Sequence, residues 1–374
     1  MKRIFARLPS LLSFAVLFLM APLSAFAAMD LNMPVGVSTM SKEIYGLHMY
    51  ILWIVCAIGV VVYGGIIYSL VVYRKSKGHK PAQFSHNLGV ELVWTIVPTL
   101  ILIVIAIPAT DTLRKMYDTS ASEVDIMITG YQWKWHYKYL NEDISFFSNL
   151  STPMSQTAIG STEKKNDYYL QEVDEPLVIP ANKKVRFLLT SNDVIHAWWV
   201  PDFAVKKDAI PGFINEMWVV VEQPGHYRGA CAELCGRNHG YMPIEVIVKT
   251  PEDYEAWVAE KKNAGAADAA AATKDWSIED LVARGEKVYS TNCAMCHQAT
   301  GAGIPGAFPS ITGSKIATGD KAGHLNIVLK GKNAMPTFAA LSDLDLAAVL
   351  TYQRNALGNS TGDKVTPAEV AAAK

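Results

Sequence analysis

Charge is what this sequence has little of. Asp, Glu, Lys and Arg together make up 18% of its 374 residues and nearly cancel, leaving a formal net charge of -1. Such a balance excludes a strongly basic nucleic-acid binder, so no nucleic-acid partner is expected. Cysteine is scarce too: there are five, and four of them fall in two close pairs, Cys231/Cys235 and Cys293/Cys296. That clustering points to metal or attachment motifs, and no structural disulfide is expected. Cys56 stands apart inside an apolar run and reads as a small packing residue. Long apolar runs are missing from the last two thirds of the chain. Hydrophobic residues make up 50% of the chain, and the excess over an ordinary content is concentrated in three runs within the first third.

The first run, Leu8 to Phe26, follows Lys2, Arg3 and Arg7 and ends in Ala25-Phe26-Ala27. It reads as a signal peptide over 1–27, with an uncleaved membrane helix as the alternative. The second, about 45–73, carries no Asp, Glu, Lys or Arg, and the third covers about 88–108. Both are long enough to span a bilayer. Between them, Arg74, Lys75, Lys77 and Lys80 form a basic loop that the positive-inside rule assigns to the cytoplasm. A two-helix transmembrane hairpin over 28–111 is therefore expected, surrounded by lipid, with both termini outside.

Beyond the membrane, short β-rich runs separated by Pro, Gly and Asn extend from about Glu123 to Lys249. They predict an all-β sandwich or Greek-key barrel within 112–250, with 141–167 as a polar insertion. A short charged helix at 251–262 and an Ala/Gly-rich stretch to about 275 read as an interdomain linker or a partly helical spacer. Helical periodicity at 278–289 and 343–354 brackets a Gly/Pro-rich loop, giving a third, all-α domain over 276–358. The tail, 359–374, is expected to be disordered.

Two motifs carry chemistry. Cys231, Cys235, His239 and Met242 lie in one short loop, with His196 upstream. Thiolates and imidazoles select copper, zinc or iron-sulfur chemistry, and a weak thioether ligand marks copper electron-transfer sites. Two bridging thiolates, two imidazoles, Met242 and a backbone carbonyl would complete a binuclear copper centre. A disulfide or a structural zinc are the plainer alternatives. Cys293-Ala-Met-Cys296-His297 is a C-x-x-C-H haem-attachment motif, in which two thiols add to the haem vinyl groups and the His comes under the iron. A chance redox or zinc pair is the alternative. Met335 and His324 compete for the sixth position, while Met295, between the cysteines, cannot serve. Pro309 or Pro305 could orient the Nδ1 of His297.

Together these motifs resemble cytochrome c oxidase subunit II of the haem-copper, CuA type, with a class I cytochrome c domain fused at the C-terminus. The resemblance implies a multidomain chain with a cupredoxin-like Greek-key barrel and an all-α cytochrome c domain. It implies a CuA site on His196, Cys231, Glu233, Cys235, His239 and Met242, with Glu233 giving its carbonyl to copper and its side chain to a magnesium ion shared with subunit I. Covalent haem c would sit on Cys293, Cys296 and His297, with Met335 matching the axial methionine. Trp133, in Tyr131-Gln-Trp-Lys-Trp-His-Tyr137, matches the tryptophan that accepts electrons, and Glu91 matches the glutamate at a proton-channel mouth. An interfacial aromatic belt and a snorkelling carboxylate are the plainer readings of those two. Lys134 stands where the family often has an aromatic residue, and would alter docking of a cationic donor. Glu172, Asp174 and Glu175 could form a docking face or only a solvated loop.

The implied function is electron transfer, from a soluble or membrane cytochrome c through haem c and copper to subunit I, where oxygen is reduced. Subunit III is a further expected partner, and the inner membrane of a bacterium the expected location, with both redox domains periplasmic. A membrane-anchored copper and haem carrier outside any terminal oxidase is the alternative. A quinol oxidase subunit would lack the copper ligands, and a nitric or nitrous oxide reductase component fits the two-helix start less well.

Overall fold

The computed structural model describes residues 32–157 and 160–374, so the expected signal peptide lies outside the described residues. Helices α1 (Thr39–Val72) and α2 (Leu88–Tyr117) hold 34 and 30 residues. At about 1.5 Å per residue each exceeds the roughly 30 Å hydrocarbon core of a bilayer. Most of their large apolar side chains are exposed, as a lipid-facing helix requires.

Both helices run past the apolar segments that announce them. α1 starts at Thr39 because Ser38 and Ser41 cap reciprocally: Ser38 Oγ accepts from Ser41 N, and Ser41 Oγ accepts from Ser38 N. α2 continues nine residues past 108, through Asp111, Arg114 and Lys115. There Trp218 of the β domain donates its indole N–H to the Lys115 carbonyl, supplying a partner at the helix end. Hydropathy marks the bilayer span, whereas caps mark the helix.

Residues 124–249 fold into two five-stranded sheets that share one core. The first has the order β3-β2-β1-β5-β8, with β1 (Val124–Tyr131), β2 (Lys134–Tyr139), β3 (Ile144–Ser148), β5 (Val185–Ser191) and β8 (Asn215–Val219). The second has the order β4-β10-β9-β6-β7, with β4 (Leu177–Pro180), β6 (His196–Val200), β7 (Val205–Ala209), β9 (Gly225–Cys231) and β10 (Pro243–Lys249). The β1/β5 and β4/β10 pairs are parallel and the rest antiparallel, so the chain crosses repeatedly between sheets in a cupredoxin-like Greek key. On β5, Val185, Phe187, Leu189 and Ser191 point inward by strict alternation. Phe187 meets Trp198 of the opposite sheet at 5.2 Å between ring centroids. The stretch expected to be an insertion, 141–167, includes β3.

Of the two readings of the Ala/Gly stretch the helical spacer is the one formed, continuous with the expected short helix as α3 (Pro251–Ala272). Thr250 caps it by accepting from Asp253 N, with Pro251 in the first turn. Its first half buries Tyr254 and Val258 on the barrel, and its alanines, Ala271 and Ala272, pack against Leu281, Leu344 and Ala348 of the next domain. Alanine is the best helix former, and here its small size also lets a neighbouring domain approach.

The last domain contains α4 (Ile278–Asn292), α5 (Lys321–Lys330), α6 (Asp343–Asn355) and α7 (Pro367–Ala373). α4 and α6 cross where Gly285 meets the Ala348 carbonyl, and a Cβ there would lie 2.1 Å from that oxygen. α5 sits in the expected loop, started by Asp320, whose carboxylate accepts from Ala322 and Gly323 N–H groups. The tail is ordered, contrary to expectation. Val365 and Val370 are buried, Thr366 and Glu369 form a capping box, and Arg354 grips Asp363 through two 2.8 Å hydrogen bonds. Pro367 is buried beside the two valines, and these few apolar contacts with the polar ones seat the tail, which composition alone did not reveal.

Candidate metal and haem sites

His196 opens β6 and Cys231 ends β9. The two strands pair at Trp198/Cys231, and Ala232 N donates to the Ala197 carbonyl just beyond. This register brings the ring and the thiol together across 35 residues of sequence. The loop after β9 then returns through a 3-10 turn at His239–Tyr241 to Met242 at the start of β10.

All six expected donors converge there. Cys231 Sγ lies 3.8 Å from Cys235 Sγ, 3.9 Å from His196 Nδ1 and 3.3 Å from the Glu233 carbonyl oxygen. Cys235 Sγ lies 3.4 Å from His239 Nδ1 and 3.5 Å from Met242 Sδ. Two donors bound to one ion at about 2.0–2.3 Å with tetrahedral angles lie roughly 3.3–3.8 Å apart, so the spacing fits shared metal ions. A disulfide is about 2.05 Å long, and both thiols are free. A structural zinc would use four donors and leave Met242 and the Glu233 carbonyl idle. Two adjacent thiolates with imidazole and thioether donors suit copper.

The thiols are electrostatically coupled. Donation from Cys235, helped by His196 and two backbone groups, pulls Cys231 down to about 4, while the proton left on Cys235 is held well above its ordinary range. Burial is the largest influence on His196 and lowers it, but Asp193, whose carboxylate is 2.8 Å from Nε2, and Cys231 together outweigh it and raise the net value. With Nε2 committed to Asp193, Nδ1 is left for the metal. Asp193 also accepts from Gln132 N at 2.7 Å.

Sequence reasoning missed two supports of this ligand. One is Asp193, three residues before His196, where the short spacing was the available signal. The other is Gly130 on β1, where a Cβ would stand 2.6 Å from His196 Cδ2. Only a residue without a side chain leaves room for the imidazole, and nothing in the local pattern says so.

The second site is a largely apolar cavity of about 360 Å³ in the last domain, lined by Cys293, Cys296, His297, His324 and Met335 among others. Its size is within the usual range of cofactor pockets. His297 ends a one-turn helix, Ala294–His297, that Cys293 precedes and Cys296 lies in, and its Nδ1 donates to the Pro309 carbonyl at 2.8 Å. A carbonyl only accepts, so the Nε2 of His297 keeps its lone pair for iron. Burial holds the ring neutral by lowering its pKa, the form a ligand needs. Met335 is fixed by paired backbone bonds with Lys332, both 2.9 Å. His324 is committed at Nε2 to Gln353 Oε1, 2.8 Å away, while its buried Nδ1 has no partner among the described residues. The donor set and the lining fit a haem.

The two sites meet through the aromatic segment. Trp133 is 5% exposed, and its indole N–H donates to the Cys235 carbonyl at 3.1 Å. Gln132 donates to the same oxygen at 2.7 Å, and Trp135 donates to the Met242 carbonyl at 3.4 Å. Phe308 of the last domain stands edge-on to Trp133, with ring centroids 6.3 Å apart. Trp133 and Trp135 are thus core residues of a β-hairpin and no interfacial belt. Lys134 is buried as well, so it cannot meet an outside donor.

Other expected positions have local partners. Glu91 accepts from Asn87 N at 3.1 Å and caps α2. Glu172 accepts from Asn166, Asp174 binds Asn149 twice, and Glu175 pairs with Lys261 of α3 at 2.6 Å. These acids tie the chain to itself. Glu233 has an exposed side chain.

The family description "Cytochrome C oxidase subunit II, transmembrane domain" matches residues 27–111, the corresponding periplasmic domain matches 124–249, and "Cytochrome C oxidase, cbb3-type, subunit III" matches 280–352. A probable cytochrome c oxidase subunit 2 of Rickettsia bellii is 39% identical over 230 residues, covering 61% of this chain and 83% of that protein. Cytochrome c oxidase subunit 2 of Cereibacter sphaeroides is 36% identical over 236 residues, covering 60% and 78%. The solved periplasmic domain of subunit II of cytochrome oxidase from Bradyrhizobium japonicum is 36% identical, covering 39% of this chain and 97% of that one, with a TM-score of 0.35.

Fold and sites define a membrane-anchored metalloprotein in which a copper-binding β domain is followed by a cytochrome c domain. The chain belongs to the cytochrome c oxidase subunit 2 family. Membership implies CuA copper in the β domain, and the cytochrome match implies haem in the last.

Proposed function

We propose that this chain is the electron-transfer subunit of a proton-pumping terminal oxidase, passing electrons from an external cytochrome c to a haem-copper subunit I that reduces oxygen to water. The observation that carries this reading is an unbroken run of contacts between the two sites. His297 donates to the Pro309 carbonyl, Phe308 is its chain neighbour, the Phe308 ring meets Trp133, and Trp133 donates to the Cys235 carbonyl. Haem c and binuclear copper, when bound, supply one-electron chemistry that demands little change of geometry.

The residues divide the work. His196, Cys231, Cys235, His239, Met242 and the Glu233 carbonyl hold copper. Cys293 and Cys296 attach haem by thioether bonds, and His297 and Met335 take the iron. Trp133 keeps the accepting role expected of it, but its partner is Phe308 of its own chain. An external donor therefore meets the cytochrome domain. The carboxylate of Glu233 is free to hold magnesium shared with subunit I, and Glu91 stands at the start of α2, where a proton path in subunit I would open. Subunit III completes the complex, in a bacterial inner membrane with both redox domains periplasmic.

The test uses the purified full chain with haem attached and copper loaded, mixed rapidly with reduced cytochrome c. The haem band should change first and the copper band follow, beside a mixed-valence copper EPR signal. A mononuclear copper signal would remove the binuclear centre, and copper reduction ahead of haem would remove the order of transfer.

A further inference from the structure

Lys134 projects from the copper domain into the wall of the cytochrome cavity. It is 5% exposed, and its ammonium donates to Asn292 Oδ1 at 3.0 Å, at the end of α4 and directly before Cys293. The Asn292 amide is itself oriented by donating to the Val288 carbonyl. Two tilted rings flank the ammonium: Phe147 of β3 at 4.2 Å and Phe338 of the cytochrome domain at 4.5 Å. Among the described residues no carboxylate lies within ion-pair distance of it. A buried cation without a counter-ion is unfavourable unless other groups stabilise it. Here an amide oxygen and two π faces do so, and two of these three belong to the other domain. Burial brings Lys134 down to about 8, against the opposing pull of Cys293, Cys296 and Asp174.

We propose that Lys134 is an interdomain positioning residue: its ammonium clamps Asn292 and Phe338 so that Phe308 stays on Trp133, and its fixed charge raises the reduction potential of the haem. The second effect rests on the reading of the cavity as a haem site. A positive charge held in a low-dielectric wall disfavours the oxidised, more positive iron. The clamp would also explain a lysine between two buried tryptophans, where an aromatic residue would fill space without reaching Asn292.

The experiment compares the full chain with Lys134→Met and Lys134→Arg, measuring the haem midpoint by potentiometry and amide hydrogen exchange around Asn292 and Phe338. Lys134→Met should lower the midpoint, speed exchange at both segments and slow haem-to-copper transfer several-fold. Lys134→Arg should restore the midpoint. Unchanged midpoint and exchange in Lys134→Met would overturn the proposal. Should Lys134→Met not fold, Asn292→Ala and Phe338→Leu loosen the clamp from the other side, and unchanged exchange at Lys134 in both would overturn it equally. A wild-type chain that binds no haem would sink the cavity reading alone, since exchange still decides the clamp.

Discussion

The proposed copper donors come from two stretches 35 residues apart, His196 and the loop from Cys231, and only the pairing of β6 with β9 unites them. Three of the four proposed haem-binding residues, by contrast, fall within five consecutive positions, 293–297, and the domain around them must supply a cavity and one methionine. The copper site depends on strand register and on a glycine beneath a ring. The cytochrome domain around the cavity depends on two helices that cross closely at Gly285. The same class of soft ligand is therefore exposed to different kinds of damage.

The largest effect is expected at the helix crossing. In Gly285→Ala the new Cβ would meet backbone, 2.1 Å from the Ala348 oxygen, and backbone cannot rotate away. Alanine would otherwise gain about 1 kcal/mol in a helix, but overpacking here should cost about 3 kcal/mol or more. Thermal unfolding followed at the haem band should show a lower midpoint, while the copper EPR signal of the folded chain is kept. If copper were lost together with haem, the two regions would not be independent.

Gly130→Ala is the converse. Its Cβ would fall on the His196 ring, a side chain that can yield, so the stability loss should be about 1–3 kcal/mol. Displacing His196 should nonetheless abolish the mixed-valence copper signal and spare the haem spectrum. A normal copper spectrum in this variant would show that the register tolerates what the geometry forbids.

Trp133→Phe tests the junction. It keeps the ring beside Phe308 but removes the hydrogen bond to the Cys235 carbonyl, worth about 1 kcal/mol. Both cofactor spectra should stay, and haem-to-copper transfer in stopped flow should slow several-fold.

The smallest effect concerns the tail and pH. Arg354 holds the Asp363 carboxyl down to about 2 from an ordinary 3.8. A folded-state pKa below the unfolded one means that the pair stabilises fully above about pH 4 and is lost as pH falls through 2. Hydrogen exchange in 359–374 should therefore rise on acidification through that window. Asp363→Asn should give the same loosening at neutral pH, with the copper site untouched.

Several elements hid from the sequence for a common reason. β2 lacks alternation because five of its six residues are buried, its outer face being covered in part by the cytochrome domain. β9, Gly-His-Tyr-Arg-Gly-Ala-Cys, is too polar and glycine-rich to read as a strand, although it delivers Cys231. α5 is ten residues long, with a glycine in its first turn. In each case tertiary cover supplied the stability that local propensity lacked.

The sequence by itself determined what short spacings encode: two bilayer-length helices, an alternating β domain, the C-x-x-C-H attachment motif, and a loop whose Cys, His and Met lie close whatever the surrounding fold. Tertiary structure decided what depends on residues distant in the chain. It brought His196 across Gly130 to the thiols, made the Ala/Gly stretch the end of a helix packed on the cytochrome domain, seated the tail on α6, closed Phe308 over the copper domain and set Lys134 in the wall of the cytochrome cavity. The physical reason is that spacing and propensity act over a few residues, whereas ligand geometry and burial are set by which surfaces exclude water together.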